Sequence, residues 1–138
     1  MKYFIDTNII VYANDSRDQK KQTDAINLIK KLIKKGNAVI STQVLGEYAH
    51  VALNKLNQKP EIVIRQIKIF ENFEVIKQSP DIITRGIELK ILYKISFWDA
   101  CILAAAEISK CNILLSEDLS TGQFYSGIKT INPFIDIT

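Results

Sequence analysis

Tyr3-Phe4-Ile5-Asp6-Thr7-Asn8-Ile9-Ile10-Val11-Tyr12-Ala13 sets one aspartate inside an otherwise apolar run. An ionised carboxylate withdrawn from water is costly unless something compensates it. Two compensations are open at this point. Asp6 or Asn8 can cap a helix that begins where a strand ends, accepting backbone N–H groups that have no other partner. Alternatively, Asp6 can share a metal ion with acids further along the chain.

Outward from this stretch, the chain reads as strands alternating with helices. Lys2 to Ile5 is β-branched and aromatic on both faces, as a central parallel strand would be. Asn14 to Asp18 is a polar turn with capping candidates. Ala25, Ile26, Leu28, Ile29, Leu32 and Ile33 then recur at helical spacing, and Gly36 closes the helix. The opposite face of this helix carries Lys30, Lys31, Lys34 and Lys35, which reads as a solvated face rather than an RNA-contacting patch. Ala38 to Ser41 is a second strand, and Thr42 is expected to cap a helix with Val44, Leu45, Tyr48, Ala49 and Ala52 on its core side. After a break at Asn57 to Pro60 comes a helix through Ile62, Ile67 and Phe70, then a third strand, Phe73 to Lys77. Ser79-Pro80-Asp81 starts a helix to Leu92 or Tyr93, and Ser96-Phe97-Trp98-Asp99 opens the most apolar one, expected to be enclosed on most sides. Asn112 to Ser116 is a fourth strand, Glu117 to Gly127 a loop, and Ile128 to Ile131 a fifth strand. The alternation predicts an α/β sandwich around a parallel sheet.

At 138 residues, one domain covering 1–138 is the expectation. With 47% hydrophobic and 24% charged residues, the composition excludes disordered and collagen-like classes. The net charge of +3 permits contact with nucleic acid without demanding it. Cys101, Cys111 and the single His50 form no metal-site pattern, and the thiols read as core residues. Asp6 breaks the opening apolar run before it reaches signal-peptide length, and no stretch reaches the ~18 apolar residues of a membrane span. A cytoplasmic location with no membrane partner is expected.

In an open parallel sheet, ligands gather outside the carboxyl ends of the strands. Asp6 follows the first strand, Glu47 lies early in the helix after the second, and Asp118 follows the fourth. Asp99 is less direct. It opens the helix leading into the fourth strand, and the N-terminus of such a helix is expected at the far end of the sheet. Each acid alone can be read as a cap or a surface residue, Ser96 with Asp99 resembling a capping box. Together they are harder to explain by capping. Two carboxylates ~4 Å apart repel by about 4 kcal/mol at an effective dielectric of 20, so a cluster takes up protons or holds a cation. All-oxygen ligands favour Mg²⁺ or Mn²⁺, and hydrolysis of a nucleic acid phosphodiester is the chemistry that follows.

Four segments also carry a family resemblance in register: Phe4-Ile5-Asp6-Thr7-Asn8, Ser41-Thr42-Gln43-Val44-Leu45-Gly46-Glu47, Ser96-Phe97-Trp98-Asp99-Ala100 and Leu114-Leu115-Ser116-Glu117-Asp118-Leu119. The chain resembles PIN domains, specifically VapC-like toxins of toxin–antitoxin pairs. The resemblance implies an α/β/α sandwich with a parallel sheet of about five strands in the order 3-2-1-4-5. It also implies a metal-dependent endoribonuclease in which Asp6, Glu47, Asp99 and Asp118 are catalytic and hold Mg²⁺ or Mn²⁺. Asn8 and Ser116 stand where the family places supporting polar residues, and the Asp99-type acid reaches the pocket. The implied partners are RNA, a cognate antitoxin that fills the active-site groove, and a second copy in a homodimer. Ser116 replaces a common threonine but keeps the hydroxyl. Gly46 costs roughly 1 kcal/mol of helix propensity relative to Ala, and would permit close approach of substrate or another backbone. Glu117 and Asp15 are candidate fifth ligands, read as solvent-facing.

Rival classes fit less well. A receiver domain needs an acidic pair after the first strand and an aspartate after the third. A haloacid-dehalogenase-like phosphatase needs Asp-x-Asp where the chain has Asp6-Thr7-Asn8. A PIN-fold protein serving only as a non-catalytic binding partner is the alternative within the fold.

Overall fold

The computed structural model describes residues 1–135, so the end of the 1–138 unit lies outside the described residues. Its strands are β1 (Tyr3–Ile5), β2 (Ala38–Ser41), β3 (Glu74–Ile76), β4 (Ile113–Leu115), β5 (Phe124–Tyr125) and β6 (Ile128–Ile131). Its helices are α1 (Thr7–Ala13), α2 (Gln19–Lys35), α3 (Thr42–Asn54), α4 (Pro60–Phe70), α5 (Pro80–Tyr93) and α6 (Phe97–Ile108). The sheet order is β3-β2-β1-β4-β6-β5, with every pair parallel except β5 against β6.

The expected order 3-2-1-4-5 is therefore found, with β6 as its last member, but the sheet has six strands rather than about five. The additional strand lies in the segment read as a loop. Phe124 and Tyr125 pair with Lys129 and Ile128, and Ser126 (φ 53°) and Gly127 (φ 81°) make the tight turn between them. Positive φ at both turn positions suits the right-handed twist of the flanking strands. Two residues carry too little alternation to register as a strand in sequence.

Why β1 is central follows from its burial. Phe4 and Ile5 are fully enclosed, as are Val39 and Ile40 of β2 and Leu114 of β4. Strands covered on both faces need continuous apolar runs. The register pairs Ile5 with Leu115, so the next residues, Asp6 and Ser116, leave the sheet side by side.

Helix ends follow local chemistry. Asp18 caps α2 by accepting the Lys21 N–H at 3.1 Å, and Ser79 caps α5 with Pro80 behind it. The expected cap of α3 shifts by one position. Ser41, the last residue of β2, accepts the Val44 N–H, while Thr42 Oγ1 instead accepts the Gln78 N–H at 3.0 Å. Strand and helix meet without a linker, so the last strand residue is itself the cap.

α6 is enclosed as expected, with Ala100 through Ala106 all buried. Its small residues let α5 approach closely: a Cβ added to Gly86 would lie 2.8 Å from Cys101 Sγ. Cys101 and Cys111 are buried free thiols. The lysines of α2 at 30, 31, 34 and 35 face solvent.

Candidate active site

Asp6 answers both readings of the opening stretch at once. Its Oδ1 accepts the Thr7 N–H at 2.7 Å, capping α1, while Oδ2 accepts the Ser116 hydroxyl at 2.7 Å. The carboxylate is 4% exposed. Because Ser116 Oγ also accepts the Asp118 N–H at 3.1 Å, one hydroxyl joins the ends of β1 and β4.

Asp99 reaches this point as well, against the expectation drawn from the direction of α6. A crossover helix runs antiparallel to the strands it connects, so α6 begins at their carboxyl ends and returns to their start. Its far end shows this directly: Lys2, just before β1, donates through Nζ to the carbonyl of Ser109 at 2.7 Å. Asp6, Asp99 and Asp118 each offer one carboxylate oxygen, and these oxygens all lie within 4.8 Å of one another. The three acids come from the end of β1, the first turn of α6 and the loop after β4.

Glu47 lines the same cleft but stands outside that triad, with Oε1 accepting the Thr7 hydroxyl at 2.6 Å. Asn8 lines it too. Its amide is buried and faces Asp118, whose carboxyl it draws down against the other influences there. The two candidate fifth ligands are not solvent-facing as expected. Asp15 is buried and clamped in both oxygens by Arg17. Glu117 is half-buried, and its two oxygens are taken by Tyr12 and Lys21. In both cases a nearby cation or hydroxyl claims the acid.

The cleft has a volume of about 590 Å³ and gains residues that the sequence did not single out. Gln43 and His50 join Gly46 and Glu47 on one face of α3, three and four residues apart. Arg17 and Lys55 add positive charge, and Trp98 adds an exposed indole. Asn54 Nδ2 donates to the His50 carbonyl at 3.0 Å and lies 3.1 Å from its Nδ1. Gly46 faces open space: nothing lies within 4 Å of a Cβ built there, so no other backbone packs against it.

The electrostatics fit a cation. Burial pushes the Asp6 carboxyl up to about 7; hydrogen bonds from Ser116 and Thr7 oppose the shift, and the charges of Asp118 and Asp99 add to it. Asp118 is also raised, first by burial and then by the charges of Asp99 and Glu117. Packing three acids together is unfavourable without protons or a positive charge between them. The donor set is all oxygen, as hard divalent cations require.

The fold and this acidic cleft define a known class: residues 3–123 match the PIN domain, and the chain belongs to that family. Several solved structures share its fold. The chain is similar to VapBC2 from Rickettsia felis bound to a DNA fragment from its promoter, at 23% identity and TM-score 0.68, covering 94% of this chain and 97% of that one. It is similar to a toxin–antitoxin complex from Klebsiella pneumoniae, at 23% identity and TM-score 0.70, covering 96% and 98%. A third is VapC20 of Mycobacterium tuberculosis, a sarcin-ricin loop cleaving toxin, at 17% identity and TM-score 0.68, covering 85% and 90%. No curated protein matches the sequence.

Proposed function

We propose that this PIN domain is a metal-dependent endoribonuclease and the toxin of a VapBC-like pair, acting in the cytoplasm. The observation that carries the reading is the meeting of Asp6, Asp99 and Asp118, from separate parts of the chain, within 4.8 Å in an open cleft. Surface acids gathered by chance would not include one as buried as Asp6.

Asp6, Asp99 and Asp118 would hold Mg²⁺ or Mn²⁺ and Glu47 would complete the site, holding a second ion or orienting the attacking water. Such an ion lowers the pKa of bound water and neutralises charge building on the phosphodiester. Ser116 fixes the Asp6 carboxylate and the start of the Asp118 loop. The Thr7 hydroxyl holds Glu47 to one side of the triad, and the Asn8 amide supports Asp118. Lys55 supplies charge for the RNA backbone, since Arg17 is held by Asp15.

The partners follow the same reading. The antitoxin would fill this cleft. A homodimer is supported by Ile83, Ile87 and Ile91, which recur every fourth residue on α5 and are 39%, 46% and 72% exposed. Among the described residues no helix is long and apolar enough to cross a membrane.

The test is to map cleavage ends on total RNA with purified protein and Mn²⁺, using Asp99→Ala as control. New ends that require both metal and Asp99 are expected. Wild-type protein that produces none would leave only the non-catalytic role.

A further inference from the structure

No acid occurs between Asp24 and Glu47, and Lys30, Lys31, Lys34 and Lys35 fall in that interval. All four are exposed on the last two turns of α2, and none forms an ion pair among the described residues. Lysines three and four apart on a helix are neighbours, so Lys30 with Lys34, Lys31 with Lys34 and Lys31 with Lys35 are like-charge contacts that weaken α2. The helix dipole offsets this only for Lys34 and Lys35, in the last turn. No described residue compensates Lys30 and Lys31.

The patch lies toward the edge of the sheet opposite the carboxylates. α2 leads through Gly36 and Asn37 into the start of β2, where Asn37 Nδ2 donates to the Met1 carbonyl at 3.0 Å and the Asn37 carbonyl accepts the Tyr3 N–H at 2.9 Å. Lys110 and Lys129 are exposed at this same edge, and its acid Glu74 is already taken by Lys2 at 2.9 Å. The cleft at the other edge is lined by Asp6, Asp15, Glu47, Asp99 and Asp118. A phosphate chain approaching such a cleft is repelled, so attraction for a polyanion has to come from another surface.

We propose that the lysines of α2 form a second RNA-binding surface, which holds the phosphate backbone of a folded RNA while the segment to be cut lies in the cleft. This rests on the ribonuclease reading above and specifies its substrate as an RNA large enough to touch both edges of the sheet. Lysine ammonium groups are mobile point charges that hold phosphates without reading sequence. An anionic membrane would use the same charges. Ile33, however, is the one large exposed apolar residue among the four lysines, where a helix lying on a membrane carries a row of them.

The test compares wild-type protein with a variant carrying Lys30→Gln, Lys31→Gln, Lys34→Gln and Lys35→Gln. Binding is measured on the Asp6→Asn background with a labelled tRNA mixture over a range of salt. The four substitutions should weaken binding at least about tenfold and flatten the log–log salt dependence by about three, whereas four Lys→Arg changes should leave both as they were. If the full variant does not fold, Lys30→Gln with Lys31→Gln, outside the last turn, should give about half the change in slope. Cleavage is measured on a folded RNA that the protein cuts and on a short fragment holding the same cut site. The variant should raise KM for the folded RNA, with kcat unchanged and the fragment cut as before. Unchanged affinity and slope would overturn the surface, as would an equal rise in KM on the fragment. So would a variant that keeps tRNA binding but no longer sediments with phosphatidylglycerol vesicles. Lysine-dependent tRNA binding by a wild type that cuts nothing would remove the nuclease reading and keep the surface, and cleavage indifferent to the lysines would do the reverse.

Discussion

The Ser116 hydroxyl donates to Asp6 Oδ2 at 2.7 Å while its oxygen accepts the Asp118 N–H at 3.1 Å. Ser116 is itself completely buried, so no water replaces that bond without rearrangement. Ser116→Ala should leave Asp6 with one fewer donor and loosen the Asp118 loop, lowering metal affinity or cleavage by roughly 10- to 100-fold, as loss of a ligand-orienting partner typically does. Ser116→Thr should keep both within a few-fold. Calorimetric Mn²⁺ titration separates the metal effect from a loss of fold.

Asp6 sets a pH dependence with a definite sign. Its carboxyl rises from 3.8 to about 7 on folding, in a side chain that is 4% exposed. Between those values the folded metal-free protein holds a proton that the unfolded chain has released. This group's stabilisation is thus full below about pH 4, falls as pH rises toward 7, and is flat above. The gap is worth about 4 kcal/mol at most. Asp6→Asn does not titrate, so in chelator it should be more stable than wild type at about pH 8, with the difference shrinking toward pH 4. Adding Mn²⁺ should stabilise only the wild type. Urea melts at the two pH values, with and without metal, measure both effects.

Much of this was legible because it rests on short-range patterns. The Tyr3 to Ile5 strand, the Asp18 and Ser79 caps and the enclosed Ala100–Ala106 segment each depend on a few neighbouring residues. Asp6 was conspicuous because charge inside an apolar run needs a partner. The β5 strand escaped because its pairing is made by a turn at Ser126 and Gly127 rather than by its own two residues. Asp99 was placed at the far end of the sheet by the chain's local logic and brought to the pocket only by the family resemblance; the antiparallel course of α6 gives the physical reason. Trp98, Arg17 and Lys55 were invisible as site residues because nothing in their spacing tells which elements the fold brings together.

Glu117 neighbours Asp118 in sequence, yet its oxygens are already engaged: Oε1 by the Tyr12 hydroxyl at 2.8 Å and Oε2 by Lys21 Nζ at 2.6 Å. Lys21 also lies 4.5 Å from the centre of the Tyr12 ring. Glu117→Gln should therefore change Mn²⁺ affinity by less than about tenfold, whereas Asp118→Asn should lower it far more. Equal losses from the two variants would make Glu117 a ligand and displace the clamp described here.

Gly46 weakens α3 without any packing reason, since a Cβ there would meet nothing within 4 Å. Gly46→Ala should stabilise the fold by about 0.5–1 kcal/mol in a denaturant melt. The residue lines the cleft one position from Glu47, so the methyl group projects into space that substrate would use. KM for RNA should rise while kcat changes little.

Gly86 is the opposite case. A Cβ there would stand 2.8 Å from Cys101 Sγ and 3.4 Å from the Cys101 backbone N and Cα, so α5 and α6 are in contact at the level of their main chains. Both residues are buried, as are the neighbours of Cys101 on α6. Gly86→Ala should cost about 1–3 kcal/mol through overpacking. Cys101→Ala removes the sulfur but not the backbone contact, so the double variant should recover part of that loss rather than all of it. Full recovery would mean that the sulfur alone sets the helix spacing. No recovery would mean that the main chain does, and α6, with Asp99 at its start, would then be fixed in place by glycine.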